Sequence, residues 1–283
     1  MKLSILIPTY NNFKYLKLCL DSIKKNSHYN HELIIHINEG IDGTFDYVKK
    51  NKIKFTYSKN NIGLCSSINS ASKLCTTDYV LYAHDDMYFC PDWDEYLLNE
   101  VKKIDHERFY ICGTMIQPTG AHISLDCGNS IETFDETKLL KNYKNVNFFD
   151  HQGSHFAPHL VKKIMWDRVG GFSEEYNPGV GSDPDFNMKL WVNGVRIFKG
   201  LNNFKVYHFG SITVRKNTKI TKNKGHITFL KKWGISVKFF KKHYLKTNTR
   251  YSGELVEPKK NLNYLKDYII NKIHYLIVKI FRK

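Results

Sequence analysis

The 283-residue sequence lacks the signatures of several protein classes. Its six cysteines form no C-x-x-C pair and have no histidine spacing suited to zinc, which argues against a metal knuckle or a redox motif. No apolar run reaches the roughly 18 residues of a membrane span, and no N-terminal leader pattern is present. We therefore expect reduced, mostly structural cysteines and a protein that begins and stays in the cytoplasm.

Four common catalytic motifs are also missing. The sequence contains no G-x-x-x-x-G-K-[ST] phosphate loop, no G-x-G-x-x-G fingerprint, no G-x-S-x-G elbow and no H-E-x-x-H pair. These absences weigh against P-loop kinases, dehydrogenases and serine hydrolases. Hydrophobic residues make up 42% of the chain and aromatic residues 14%, so the composition is that of a folded globular protein.

Acidic residues are scarce in the last quarter of the chain. Residues 214–283 hold 19 Lys and Arg against 3 Asp and Glu, whereas residues 1–213 hold 24 of each, so the net charge of +16 comes from this tail. A basic end on a neutral body is typical of attachment to an anionic membrane or to nucleic acid, and a solvated lysine-rich face is the alternative. An apolar stripe within the tail favours an interfacial helix or a packing helix. The stripe consists of Leu262, Leu265, Ile269, Ile273, Leu276 and Ile280.

Short apolar segments alternate with amphipathic ones in the first third of the chain. The strands are predicted at residues 2–8, 32–38, 53–58 and 79–83, and the helices between them at residues 13–23, 46–51 and 64–75. Asn11 or Asn12 is expected to cap the first helix. This alternation predicts an α/β fold with a mostly parallel, doubly wound, Rossmann-like sheet, whose ligand crevice lies at the carboxyl ends of the strands.

The middle of the chain continues the pattern less regularly. Helices are predicted at residues 92–103, 161–169 and 184–193, and strands at residues 109–115, 195–199 and 204–209. Residues 120–151 are polar and irregular, which is more typical of a substrate-facing insertion than of a core.

Carboxylates follow the fourth predicted strand directly. Asp85 and Asp86 are adjacent at the mouth of the sheet, a costly arrangement that a divalent cation such as Mg²⁺ or Mn²⁺ would relieve. A solvent-exposed turn or a helix cap is the other interpretation. His208 ends a later strand and could be a second ligand of the same ion, although a lone histidine is more often structural.

A glycine-rich loop precedes the helix at residues 184–193. Asp183 in this loop could cap the helix, or it could act as a general base toward a substrate hydroxyl. The sequence alone leaves both roles open.

Taken in order, several motifs resemble family 2 glycosyltransferases of the GT-A fold. The resemblance covers about three quarters of the chain. The motifs that carry it are Ile5-Leu6-Ile7-Pro8-Thr9-Tyr10-Asn11, Asn38-Glu39-Gly40 with Asp42-Gly43-Thr44, Asn61-Ile62-Gly63 with Asn69, His84-Asp85-Asp86, Trp166 through Gly170-Gly171-Phe172, and Asp183.

This resemblance implies an inverting transfer of a sugar from a nucleotide diphosphate sugar, most simply a UDP-sugar, to an acceptor hydroxyl. A divalent cation, Mn²⁺ or Mg²⁺, would hold the diphosphate. By the same resemblance, Asp86 and His208 would bind the metal and Asp183 would be the general base. Residues that would bind the nucleotide are Pro8, Thr9, Tyr10, Glu39, Asn61, Gly63 and Asp85.

Three departures from the family pattern are visible. Asn38-Glu39 stands where two acids are common, which bears on the choice of nucleobase, and Glu39 would accept an imide N–H of the base. Ser182-Asp183 stands where Glu-Asp is usual, so Asp185 is a rival base. The Gln-x-x-Arg-Trp motif of processive synthases is absent, which favours the addition of a single sugar.

The resemblance leads to a two-part organisation. Residues 1–213 would form the GT-A catalytic domain, and residues 214–283 a basic, mostly helical extension that binds an anionic membrane surface or mediates packing or oligomerisation. The acceptor would be a glycan or a lipid-linked glycan, and the protein would be peripheral at the membrane. The alternatives are an inactive GT-A module used for binding or scaffolding and a nucleic-acid-binding protein, although no nucleic acid partner is expected.

Overall fold

A computed structural model describes residues 1–120, 122–146, 148–153, 156–210 and 224–281. The strands are β1 Ser4–Tyr10, β2 Glu32–Asn38, β3 Lys54–Ser58, β4 Tyr79–Tyr82, β5 Met87–Phe89, β6 Phe109–Gln117, β7 Ile123–Ser124, β8 His151–Gln152, β9 His159–Lys162 and β10 Ile197–His208. The helices are α1 Phe13–Asn26, α2 Thr44–Lys50, α3 Leu64–Ser72, α4 Trp93–Val101, α5 Glu136–Asn142, α6 Lys163–Val169, α7 Ser182–Val192, α8 Gly225–Trp233, α9 Val237–Phe239 and α10 Leu262–Phe281. A π-helical turn, Phe240–Leu245, continues α9.

One twisted sheet organises the fold, with the order β3-β2-β1-β4-β9-β6-β10-β5. The half that contains β3, β2, β1 and β4 is parallel, as the strand and helix alternation predicts. The other half is mixed, because β9 runs antiparallel to both β4 and β6, and β5 runs antiparallel to β10. The strand β7 pairs with β6 and β8 pairs with β10, both off the main path.

The buried face of each early element follows the periodicity of its sequence. In β1, Leu6 and Ile7 are fully buried, and in α1 Leu16 and Leu20 face the sheet with no exposed surface. Continuous apolar strands of this kind require helices on both faces, which α1 and α3 help to supply.

Four local predictions were wrong in whole or in part. The segment predicted as a helix at residues 161–169 begins as β9, and α6 starts only at Lys163. The two strands predicted at residues 195–199 and 204–209 are one strand, β10, in which the pairing with β6 shifts register between Leu201 and Lys205. Asn12 occupies the N-cap position of the first helix, one of the two predicted positions, but its side chain makes no capping hydrogen bond; Asp42 Oδ2 instead accepts the backbone N–H of Phe13 at 2.7 Å.

The fourth concerns residues 120–151, which are not merely irregular. They include α5 and contribute to a second hydrophobic cluster beside the main core. Cys127, Leu139 and Tyr143 are buried there, against Tyr207 and Phe209 at the end of β10. The described residues of this segment therefore share a small second core with β5 and the end of β10.

The described part of the basic tail packs extensively on the body. Phe229, Phe239, Phe240 and Leu245 belong to the main hydrophobic core. The predicted boundary at residues 213 and 214 lies outside the described residues. Among the helices that the structure describes, none combines the length and the apolar character needed to cross a bilayer.

Candidate active site

A cavity of about 250 Å³ lies at the carboxyl ends of β1, β2 and β4, where a parallel sheet usually binds its ligand. The loop before α7 and the start of α3 form other parts of its wall. The residues that line it are Pro8, Thr9, Tyr10, Asn38, Asn61, Gly63, Leu64, Ser67, His84, Asp85, Asp86, Pro178, Gly179, Val180 and Asp183.

Side-chain hydrogen bonds tie the strand ends together on the floor of this cavity. Thr9 Oγ1 donates to Asp85 Oδ2 at 2.7 Å, which joins the end of β1 to the segment after β4. Asn38 Nδ2 donates to Ser67 Oγ at 2.9 Å, and Asn38 Oδ1 accepts from the backbone N–H of Ile62 at 2.9 Å. The ends of three strands and the beginning of α3 are therefore held in one arrangement.

Asp85 and Asp86 are both buried, with 7% and 3% of their surfaces exposed. Burial and the neighbouring Asp86 carboxylate raise the pKa of Asp85, while the hydrogen bond from Thr9 opposes this rise. Two carboxylates in one desolvated corner are electrostatically costly, and a bound cation would offset that cost.

Strand pairing explains why Asp86 lies beside His208. Met87 of β5 pairs with His208 of β10, and the backbone N–H of Phe209 donates to the Asp86 carbonyl at 3.2 Å. This register places His208 Nε2 at 3.2 Å from Asp86 Oδ1. His208 does not line the cavity itself and lies behind Asp86.

Two further residues belong to this cluster although they were not predicted as ligands. His84 Nδ1 is 3.9 Å from Asp86 Oδ1, and burial lowers the pKa of His84 to about 4, so its imidazole is neutral at pH 7. Gln117 Nε2 lies 2.7 Å from His208 Nδ1. A half-turn of the side-chain amide would bring Gln117 Oε1 to this place instead, where it would accept Nδ1–H and leave the Nε2 lone pair of His208 available to a cation.

The side chains of His84, Asp86 and His208 fit a divalent cation. One ligand atom from each lies within 4.8 Å of the others, and His208 Nε2 is buried without a hydrogen-bond partner. A carboxylate and two imidazoles form a mixed oxygen and nitrogen donor set, which suits Mn²⁺ better than the oxygen-preferring Mg²⁺.

Asp183 reaches the same cavity from the first turn of α7. Its Oδ1 is shielded from solvent and has no hydrogen-bond partner, and burial raises the pKa of Asp183 to about 7. A carboxylate with such a pKa has a large affinity for a proton while it is still substantially ionised at neutral pH, as a general base requires.

Asp185, the rival of Asp183, lies elsewhere. It is fully buried, its Oδ2 accepts from Ser173 Oγ at 2.6 Å, and its Oδ1 accepts from Trp233 Nε1 at 2.7 Å. Lys232 Nζ is 3.0 Å from the same Oδ1. Asp185 therefore joins α7 to the tail and takes no part in lining the cavity.

Asn61 and Gly63, which are expected from the sequence to bind the nucleotide, both line the cavity, and the backbone conformation at Gly63 requires glycine. Gly63 has φ +83°, and a Cβ at this position would lie 2.5 Å from Asn177 Oδ1. That same oxygen accepts the backbone N–H of Cys65 at 2.9 Å, which fixes the start of α3 against the loop of the cavity.

Glu39 is the predicted nucleotide residue that does not line the cavity. Its Oε2 accepts from Asn11 Nδ2 at 2.9 Å, and its backbone has φ +61°. The side chain is half-buried at the rim, so a contact with a nucleobase stays a prediction.

A family model described as glycosyl transferase family 2 matches residues 4–157, more than half of the chain. The chain belongs to glycosyltransferase family 2. The region of this transferase that matches contains β1 to β4 together with Asp85 and Asp86, and so includes the strand ends that line the cavity.

Among known proteins, this family 2 glycosyltransferase is 27% identical over 178 residues to an uncharacterized glycosyltransferase of Rickettsia prowazekii, a match that covers 60% of this chain and 53% of that protein. It is 28% identical over 231 residues to a chondroitin synthase of Pasteurella multocida, which covers 79% of this chain and 22% of the synthase. The chain thus spans about half the length of the first relative and a smaller part of the second.

Solved structures share the fold. The S. aureus TarS fragment 1–349 superposes with a TM-score of 0.58 at 16% identity, over 99% of this chain and 81% of that one. GalNAc-T7, solved with UDP, GalNAc and Mn²⁺, superposes with a TM-score of 0.56 at 13% identity, over 74% of this chain and 44% of that one. The family 2 transferase therefore has the GT-A type of α/β fold.

Proposed function

We propose that this glycosyltransferase transfers a sugar from a UDP-sugar to a hydroxyl group of a glycan or lipid-linked glycan, with inversion at the anomeric carbon. The observation that carries the proposal is that Asp183, with an unpartnered carboxylate oxygen, lines the same cavity as His84 and Asp86, which form a cluster of potential metal ligands with His208. TarS has been solved with UDP and with UDP-GlcNAc, which supports a uridine nucleotide as the donor.

The two groups would divide the reaction between them. His84, Asp86 and His208 would hold a divalent cation, Mn²⁺ by preference, which supplies positive charge to the departing diphosphate when it is bound. Asp183 would accept the proton of the acceptor hydroxyl as its oxygen attacks the anomeric carbon, and the bond to the diphosphate would break on the opposite face. A single base and a direct displacement account for the inversion.

Thr9 and Asn38 would act by positioning. They hold Asp85 and the first turn of α3 in place through the hydrogen bonds at the ends of β1 and β2. Because these hydrogen bonds already fix the ends of the strands relative to one another, the cavity would bind the donor with little rearrangement.

The donor assay tests the central proposal. We expect the purified protein to release UDP slowly from one UDP-sugar in a panel of UDP-, dTDP- and GDP-sugars, and to do so only with Mn²⁺ or Mg²⁺. Nucleotide diphosphate release, followed by chromatography with and without EDTA, is the measurement. Metal-dependent nucleotide binding that never leads to transfer with any donor and glycan acceptor would instead identify a binding module.

We propose further that α10 attaches the protein to an anionic membrane surface. Tyr264 and Val278 face the body and are buried, whereas Ile269, Ile273 and Ile280 on the other side are 53–63% exposed. Asn271 fixes this orientation, because its Oδ1 accepts from the N–H of Ser236 at 2.7 Å. An apolar helix face on a basic tail is typical of an interfacial helix.

Replacing two of these isoleucines should release the protein from vesicles. For Ile273→Ser with Ile280→Ser, we expect about a tenfold or greater loss of binding to phosphatidylglycerol vesicles, since each buried isoleucine contributes about 1.5 to 3 kcal/mol. Cosedimentation is the measurement. Ile164→Ser with Val192→Ser is the matched control, because both residues are similarly exposed on the body. Equal losses in the two variants, or a dimer that dissociates when α10 is changed, would contradict the membrane proposal.

A further inference from the structure

A second cleft, of about 730 Å³, lies in the described part of the tail and away from the candidate active site. It is lined by four lysines, which come from α9, from the π-helical turn that continues α9 and from the residue after that turn. Two histidines, one from α8 and one from α10, also line it. These residues, here called the lysine cleft, are Lys238, Lys241, Lys242, Lys246, His226 and His274. No Asp or Glu is among the described residues that line it.

Most of this positive charge has no counter-charge. Lys242 Nζ is paired with Asp267 Oδ2 at 2.6 Å. Within the described ranges, no carboxylate lies within ion-pair distance of Lys238, Lys241 or Lys246. The cleft therefore concentrates three uncompensated ammonium groups, an arrangement that attracts an anion of more than one charge.

The lack of a carboxylate partner is energetically unfavourable for Lys241 in particular. It is half-buried, its Nζ lies 5.9 Å from the centre of the Phe156 ring, and burial lowers its pKa. Removing a charged ammonium from water without a carboxylate partner is unfavourable, and an anionic ligand would supply the missing interaction.

The remaining walls of the lysine cleft are apolar. Ile227 and Leu230 of α8 and Val237 of α9 line it beside the lysines. A free inorganic anion would gain nothing from these side chains, whereas an anion with a hydrocarbon part would use both kinds of surface.

The location of the cleft also favours an anion with a hydrocarbon part. His274, one of its lining residues, is exposed on α10 next to Ile273 and Ile277, which are 53% and 48% exposed. The cleft thus adjoins the apolar face that would meet the membrane. On its other side, α8 begins at Gly225, where a Cβ would lie only 1.8 Å from the Val180 carbonyl oxygen in the wall of the candidate active site.

We infer that the lysine cleft binds the phosphate group of a membrane lipid, with Lys238, Lys241 and Lys246 as the phosphate ligands and the apolar wall against the glycerol and acyl portion. The inference rests on the membrane location proposed for α10. It adds a defined headgroup site to that general surface attraction, and it places this site one helix away from the donor cavity.

A short-chain lipid that stays monomeric separates this site from the membrane surface. In calorimetric titrations with dihexanoyl phosphatidic acid, we expect Lys238→Gln with Lys241→Gln to weaken binding about tenfold or more, because charge-assisted hydrogen bonds to phosphate are lost. The matched control is Lys259→Gln with Lys260→Gln, which removes the same charge from exposed positions outside the lysine cleft and should change binding by about twofold or less.

Two results would overturn the inference. Equal weakening in both double variants would mean that the tail attracts lipid only through its net charge. Binding of inorganic phosphate as tight as that of the short-chain lipid would mean a bare anion site. The single change Lys238→Gln, at an exposed position, provides the same comparison if the double variant does not fold.

The same samples separate this inference from the proposed function. Donor hydrolysis is measured on the unaltered protein with Mn²⁺ and without lipid. If lipid binds in the cleft but no donor is turned over, sugar transfer is refuted and the lipid site is not. If the donor is turned over but the two double variants bind the lipid equally well, the lipid site is refuted and sugar transfer is not.

Discussion

Asp183→Asn should lower kcat by about 10²- to 10⁴-fold while leaving the binding of the UDP-sugar nearly unchanged. The carboxylate is the proposed acceptor of the hydroxyl proton, and an amide of the same shape cannot take that proton. Steady-state kinetics with donor and acceptor, together with calorimetric titration of UDP in the presence of Mn²⁺, measure the two effects separately. A kcat within about threefold of the unaltered enzyme would exclude Asp183 as the base.

The pH dependence of the unaltered enzyme provides a second test of Asp183. Because burial raises the pKa of Asp183 to about 7, kcat/KM should fall about tenfold for each pH unit below that value, as the base becomes protonated. This acid limb should be absent from the residual activity of Asp183→Asn.

As the pH rises, the stability contributed by Asp183 should fall while the activity rises. A folded-state pKa above the unfolded value favours the protonated form, so the stability contributed by Asp183 is present at low pH and is lost as the pH rises toward 7. Asp183→Asn should therefore raise the free energy of unfolding at pH 8 by less than about 4 kcal/mol, which raises the unfolding temperature, and should change both little at pH 4. Thermal unfolding in EDTA is the measurement.

Asp185→Asn is a control for these comparisons at a neighbouring position of α7. Asp185 holds Lys232 and Trp233 of the tail, and it lies outside the cavity. We expect this change to lower the unfolding temperature, because it leaves Lys232 without its buried partner, and to leave the acid limb of kcat/KM in place.

Asp86→Ala should abolish the response to Mn²⁺ and lower kcat/KM by about 10²- to 10³-fold. Asp86 is the only carboxylate of the described cluster that also contains His84 and His208, so its loss leaves only the two imidazoles to hold the cation. Turnover against Mn²⁺ concentration, and the stabilisation of the protein by Mn²⁺ in thermal unfolding, are the measurements.

A surface cluster provides a control for this experiment. His28, Asp92 and Glu95 also bring three potential ligands together, but on the exposed side of α4. Asp92→Asn should leave the dependence of turnover on Mn²⁺ unchanged. If Asp86→Ala retains that dependence, the cation site lies elsewhere, and the role of the cluster is purely structural.

Where local sequence pattern determines an element, the structure agrees with the prediction made from the sequence. The strand β2 has the predicted bounds, because an apolar run flanked by polar residues is fully specified by its own neighbours. The strand β9 was missed because its strand character depends on pairing with β4 and β6, which are about 80 and 50 residues away. Its sequence by itself reads as the first turn of the helix that follows.

The residues of the candidate site likewise fall into those that local sequence identifies and those that only long-range strand pairing brings together. Strand-end positions such as Thr9, Asp85 and Asp86 could be identified because the end of a strand is visible in sequence. Gln117 could not, because its contact with His208 depends on the register of two strands that are distant in the chain. His84 was visible beside the two acids, but only the distance to Asp86 Oδ1 makes it a candidate ligand.

The short strand β9 has a consequence for how the chain acquires its structure. Among the described strands, β9 is the link between the half of the sheet made by β1 to β4 and the half made by β6, β10 and β5. The first half is built entirely from residues 4–82, so it can form while later residues are still being synthesised. The edge of β4 then stays open until Lys162 has been made, and that interval is when the nascent chain is most exposed to incorrect strand pairing.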